Sequence, residues 1–212
     1  MIKNYFNILL KAILAGILIA LAGTIYLSLK SENAIIGAFL FGFGLLTIVG
    51  LDFKLYTGRV GYVIDEKPSY LIEILIIIIG NSLGGLLIAS FVHLGNMQNI
   101  ILTAQDMVTH KLSKELLPIF GLSILCGMMM YLGVEGYKRV KNDVARTVLN
   151  IFAVAIFILA GFEHSIANIF YFFVANLWTW YMFVAFLVML LGNAVGAIIL
   201  NGIEKLANTK KA

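Results

Sequence analysis

The chain has 212 residues, 61% of them hydrophobic and 12% charged, with a net charge of +4 and a mean hydropathy of +1.00. A soluble domain carries about 25% charged residues, so the composition excludes a water-soluble globule and points to an all-α integral membrane protein in a lipid bilayer. The single cysteine, Cys126, excludes an intrachain disulfide framework, and no nucleic-acid-binding motif accompanies the basic balance.

In chain order, the first apolar run, "FNILLKAILAGILIALAGTIYLSL", is too long for a signal-peptide core and lacks a cleavage pattern, so it reads as a first transmembrane helix. Six spans are expected, at 6–29, 34–56, 69–93, 117–137, 147–175 and 178–203. The second ends in the polar run "GLDFKLYTGRVG", and the fifth contains "GFEHSIANIF" (161–170). Pro68 and Pro118 stand at span starts, where a missing N–H costs little. With six spans both termini share one side. Eleven Lys and Arg residues, among them Lys11, Arg59 and Lys138, fall on that side against Lys30, Lys111 and Lys114 on the other. The positive-inside bias then places both termini in the cytoplasm of a cell-membrane protein, and the pI near 9.1 follows from topology.

The third and sixth spans share a signature. "IIGNSLGGLLIA" (78–89) aligns with "LLGNAVGAIIL" (190–200), so that Gly80, Asn81 and Gly84 match Gly192, Asn193 and Gly196. The second and fifth spans are both interrupted by polar residues. The chain thus reads as one transmembrane channel domain, 1–212, made of two three-span halves, about 1–94 and 115–212. Three spans per half force opposite orientations, and inverted repeats with broken helices belong to transporters and channels. The competing explanation is ordinary small-residue helix packing.

Ionisable groups at membrane depth are costly and usually functional. Those here are Asp52, Lys54, Glu73, Glu163 and His164, while His93 and His110 flank the loop between spans three and four and read as surface residues. Adjacent helical residues diverge by about 100°, so Glu163, His164 and Ser165 cannot form a hydrolytic triad on one helix. An enzyme is not expected. Histidines and cysteines are too few here for a metal site, and no cofactor is expected. A helix break would let His164 face a pore while Glu163 faces a neighbouring helix. A neutral imidazole offers a donor and an acceptor to a small polar solute and can exchange a proton near neutral pH.

"GFEHSIANIF" resembles the signature of the formate–nitrite transporter family, written near GFEHSVANMF. The likeness extends along most of the chain: "LKAILAGILIALAG" (10–23), "FGFGLLTIVG" (41–50), the Tyr56-Thr57-Gly58 turn, "SILCG" (123–127) and both GN glycines. The resemblance implies a homopentamer of aquaporin-like protomers. Each would carry a pore for a small monovalent anion or its weak acid (formate, nitrite or hydrosulfide), often with proton coupling. By position, His164 would be the central histidine and Thr57 its hydrogen-bonding neighbour, with Glu163 and Asn168 beside the path. Tyr56 and Phe157 would form one constriction, Phe41 and Leu45 the other.

Two departures stand out. Ile72 occupies the place where the family is expected to carry a lysine, beside Glu73, and Lys54 replaces an acidic residue. Three readings follow. Lys54 and Glu73 (or Glu163) form a swapped pair; or Glu73 favours a small cation such as ammonium; or both side chains reach to the interface. The compact chain leads one to expect no long gating segment at the terminus.

Overall fold

The computed structural model describes residues 2–208, which form seven α-helices and two 3₁₀ turns. Helix α1 (Ile2–Gly50) is bent at Asn33, whose backbone is extended (φ −153°, ψ 83°). The Asn33 carboxamide accepts the Ile36 N–H at 3.0 Å and so starts the second arm as an N-cap. Spans one and two are therefore separated by a one-residue kink. The second arm stops at Gly50, six residues before the expected end. A turn at residues 51–52 and a short irregular stretch follow, then 3₁₀ turns Tyr56–Gly58 and Val60–Ile64.

Helix α2 (Tyr70–Leu94) leads into α3 (Gln98–Leu112), a helix within the segment read from sequence as a loop. Helix α4 (Leu116–Arg139) is followed by α5 (Asp143–Leu159), α6 (Ser165–Ala175) and α7 (Trp180–Asn208). The expected fifth span is thus two helices separated by residues 160–164. Among the described residues, four helices (α1, α2, α4 and α7) are long and apolar enough to cross a membrane. Large apolar side chains such as Leu71, Ile79, Phe91, Phe152 and Ile203 lie exposed on the outside.

The two most extensive packings, α1 on α2 and α4 on α7, use the same device. Gly84 presses on the Ile13 carbonyl and Gly196 on the Ile124 carbonyl, and a Cβ at either position would overlap those oxygens. Small residues let apolar helices approach closely, which is how association proceeds without a water-driven hydrophobic effect.

Helices α1 and α5 also end alike. The Phe53 N–H donates to the Ile48 carbonyl, and the Phe162 N–H to the Phe157 carbonyl, each at 2.9 Å. The residue before each donor is left-handed: Asp52 at φ 51° and Gly161 at φ 71°. This is the Schellman termination, and it turns the chain out of the helix just before the polar groups.

Candidate functional site

Asn81 of α2 and Asn193 of α7, both fully buried, hold the two breaks. Asn81 Nδ2 donates to the carbonyls of Ala12 and Lys54, each at 2.8 Å, and its Oδ1 accepts the Tyr56 N–H at 2.9 Å. Asn193 Nδ2 donates to the carbonyls of Ser123 (2.8 Å) and Glu163 (2.9 Å), and its Oδ1 accepts the Ser165 N–H at 2.9 Å. Irregular backbone in a buried apolar setting must have its polar groups satisfied, and each carboxamide supplies both signs. Leu55 in one clamp therefore occupies the place of His164 in the other. The glycines Gly80 and Gly192, one residue earlier, face Ala12 and Ser123 and admit this close approach.

His164 caps α6. Its Nδ1 accepts the Ala167 N–H at 3.1 Å, and its Nε2 lies 3.0 Å from Thr57 Oγ1. A backbone N–H can only donate, so Nδ1 is unprotonated and the neutral ring carries its proton on Nε2, donating to Thr57. Both side chains are buried. Phe157 stacks on the imidazole with centroids 5.3 Å apart, and Phe41 meets Phe157 edge-on at 6.2 Å.

Glu163 has no solvent exposure. Its Oε2 accepts from Lys111 Nζ at 2.5 Å and from Asn168 Nδ2 at 2.9 Å, and Lys114 Nζ stands 3.6 Å from Oε1. A buried carboxylate needs such partners.

Two cavities flank this centre and share no lining residue. One, of about 290 Å³, reaches His164, Phe157 and Asn168 and is lined by Lys30, Lys111 and Lys114, with His110 and Asp106. The other, of about 30 Å³, lies at Leu45, Leu55 and Val134 and is lined by Asp52, Arg59 and Lys138.

Several expectations are corrected. Lys54 does not pair with Glu73 or Glu163. Its Nζ binds Asp52 at 3.0 Å, because both lie on the turn that leaves α1. The cation on Glu163 comes instead from α3, through Lys111. Glu73 sits half-buried in the first turn of α2 and lines neither cavity at the centre. The apolar residues group differently from the expected pairs: Phe41 packs edge-on with Phe157, while Leu45 lines the small cavity together with Leu55. Tyr56 is drawn off because its hydroxyl donates to the Leu190 carbonyl at 2.8 Å. His110 is exposed, as expected of a surface residue, and also lines the larger cavity.

Sequence reading missed Lys111 and Leu55. The buried positions Ile100, Ile101, Ala104, Met107 and Val108 of α3 recur at helical spacing and could have revealed the helix that carries Lys111. For Leu55 the signal was its place in the break, matching His164 in the repeat.

The formate/nitrite transporter family model matches residues 2–206. The chain is 27% identical over 192 residues to a protein described as "Formate channel FocA" from Haemophilus influenzae, covering 79% of this chain and 66% of that one. It is 27% identical over 200 residues to a "Formate-nitrite transporter" from Plasmodium malariae, covering 79% and 64% respectively. It thus spans about two thirds of the length of these relatives. Among solved structures, a "Pentameric formate channel with formate bound" superposes with a TM-score of 0.86 at 22% identity over 99% of both chains. An "FNT family ion channel" does so with a TM-score of 0.84 at 18% identity, over 97% of this chain and 91% of that one. With its apolar helices and a family match over nearly its whole length, the chain is a multi-pass membrane protein of the formate/nitrite transporter family.

Proposed function

We propose that each protomer is a pore for a small monovalent anion or its conjugate weak acid, of the formate, nitrite or hydrosulfide class. The observation that carries this reading is the Thr57–His164 pair at 3.0 Å. Among the described residues it is the one side-chain polar contact between the two broken segments, with Phe41, Phe157, Leu45 and Leu55 around it and a lysine-lined cavity on one side. The apolar walls exclude a hydrated ion, since stripping a charge of water is costly there. The lysines Lys30, Lys111 and Lys114 concentrate anions at the entrance. Glu73 lies away from the path and the cavity lining is mainly cationic, so the small-cation alternative gains no support.

His164 acts in this reading as a hydrogen-bonding contact. Its Nδ1 is taken by the Ala167 N–H, so taking up a proton there would break the cap of α6. The Nε2–H and the Thr57 hydroxyl are the groups that can turn to a passing solute. Six crossings in two inverted halves fit the matching clamps of Asn81 and Asn193 and the matching ends of α1 and α5. The clustering of Lys11, Lys54, Arg59 and Lys138 at one end fits cytoplasmic termini. A homopentamer fits the assembly named for the superposed formate channel, and mass measurement in detergent tests it.

The functional test is nitrite and formate flux into proteoliposomes. Wild type should carry both, His164→Phe should carry neither while keeping its assembly, and His164→Asn should keep flux with an unaltered pH profile. Wild type carrying neither anion would overturn the reading.

A further inference from the structure

Asp52 stands at a position where the backbone argues against it. Its φ of 51° is left-handed, and the matching residue that ends α5 is Gly161. Glycine takes this conformation without the cost a Cβ brings. A carboxylate placed there is accounted for by what it touches. Asp52 receives Lys11 Nζ at 3.1 Å, Lys54 Nζ at 3.0 Å and an Arg59 terminal nitrogen at 2.6 Å.

The charges do not balance. Three cations share one carboxylate, and the three cationic side chains are 19–34% exposed while that of Asp52 is 61% exposed. Arg59 uses one nitrogen on Asp52, and its other side-chain donors meet no acceptor among the described residues. A guanidinium is built to hold two oxygens of one planar anion. Lys138, which also lines the small cavity, is engaged by Glu135 at 3.2 Å. The cavity, at about 30 Å³, exceeds the roughly 10–15 Å³ that one water requires. Arg59 also follows directly on the turn that carries Thr57, and its backbone N–H closes that turn on the Tyr56 carbonyl.

We propose that Arg59, with Lys54 and Lys11, forms an anion-holding station at the mouth opposite the large vestibule, and that Asp52 is its internal counter-ion, displaced from Arg59 by the entering solute. The station rests on the anion-pore reading and names a specificity-determining residue for it. A small planar oxyanion such as nitrite or formate fits the free face of the guanidinium, and the exposed carboxylate can swing into water. Asp52 then sets the concentration at which the station fills. Without it the cations would hold the anion longer and slow its departure.

The test is the concentration dependence of nitrite flux in proteoliposomes at pH 7.5, where nitrite is ionised. It is paired with the nitrite-induced rise in thermal stability of the protein in detergent. Arg59→Gln should raise the half-saturating nitrite concentration on the order of tenfold, the scale of one charge-assisted hydrogen bond, and should remove most of the thermal shift. Arg59→Lys should lie between it and wild type. Asp52→Gly, which suits the backbone, and Asp52→Asn should both lower the half-saturating concentration several-fold and enlarge the thermal shift. Variants that change only maximal flux or basal stability, with half-saturation and the nitrite shift as in wild type, overturn the station. If wild type passes no anion yet its nitrite shift depends on Arg59, the pore reading fails and the station stands. If neither flux nor an Arg59-dependent shift is seen, both fail.

Discussion

Replacing Asn193 with alanine removes one small side chain and strands three buried backbone groups: the carbonyls of Ser123 and Glu163 and the N–H of Ser165. Interhelical hydrogen bonds in membranes average about 0.6 kcal/mol each, so three give a floor of about 2 kcal/mol. Buried groups left unsatisfied cost about 1–3 kcal/mol each, which sets an upper range near 6 kcal/mol at about 2 per group. A protein of this size shifts its melting point by roughly 2–4 °C per kcal/mol. Asn193→Ala should therefore melt at least about 4 °C below wild type in detergent, read by intrinsic fluorescence and by loss of the assembled peak on size exclusion. Asn81→Ala strands the same number of groups, at Ala12, Lys54 and Tyr56, and should fall by a similar amount. Ser82→Ala, which loses only a hydroxyl bond to its own helix, should melt near wild type. The consequence for the site differs between the two clamps. Asn193 holds the peptides on either side of His164, so its loss should also reduce anion flux in the protein that remains assembled. An Asn193→Ala melting point within 1 °C of wild type would refute the view that this carboxamide keeps the break in place.

Lys111→Met leaves the buried Glu163 carboxylate without its shortest partner and should destabilise by about 3 kcal/mol or more; adding Glu163→Gln should recover much of that in a double-mutant melting cycle, whereas Lys54→Met should gain nothing from Glu163→Gln. Gly196→Ala drives a Cβ into the Ile124 carbonyl, while a Cβ at Gly121 meets nothing within 4 Å. Membrane yield and melting should collapse for the first and hold for the second, and a well-folded Gly196→Ala protein would show that α4 and α7 can separate freely. Phe157→Ala removes both the ring stacked on His164 and the edge contact with Phe41; acetate and lactate flux should rise relative to formate, and an unchanged ratio would mean this pair does not limit solute size.

The sequence alone determined the setting and much of the site. An apolar chain with broken spans can place costly polar groups only where they are satisfied, so the breaks around Thr57 and His164 were legible as a polar centre. The matching Gly-Asn pairs were legible as a repeat because each small residue and each carboxamide is needed at a fixed place on its helix. What the sequence could not decide was which charges meet. Lys111 and Glu163 are 52 positions apart, and α3, which brings them together, has too low a hydropathy to register as a span. Its burial comes from packing, chiefly against α6 and α1 and to a lesser extent against α2 and α7. The sequence offered Lys54 two distant partners, Glu73 and Glu163, but the left-handed turn at Asp52 sends it to a carboxylate two residues away. Likewise Tyr56 left the wall for the Leu190 carbonyl, since a buried hydroxyl takes the nearest acceptor the fold offers. Coulomb attraction and hydrogen bonding act over a few ångströms, and those distances exist only once the helices have docked.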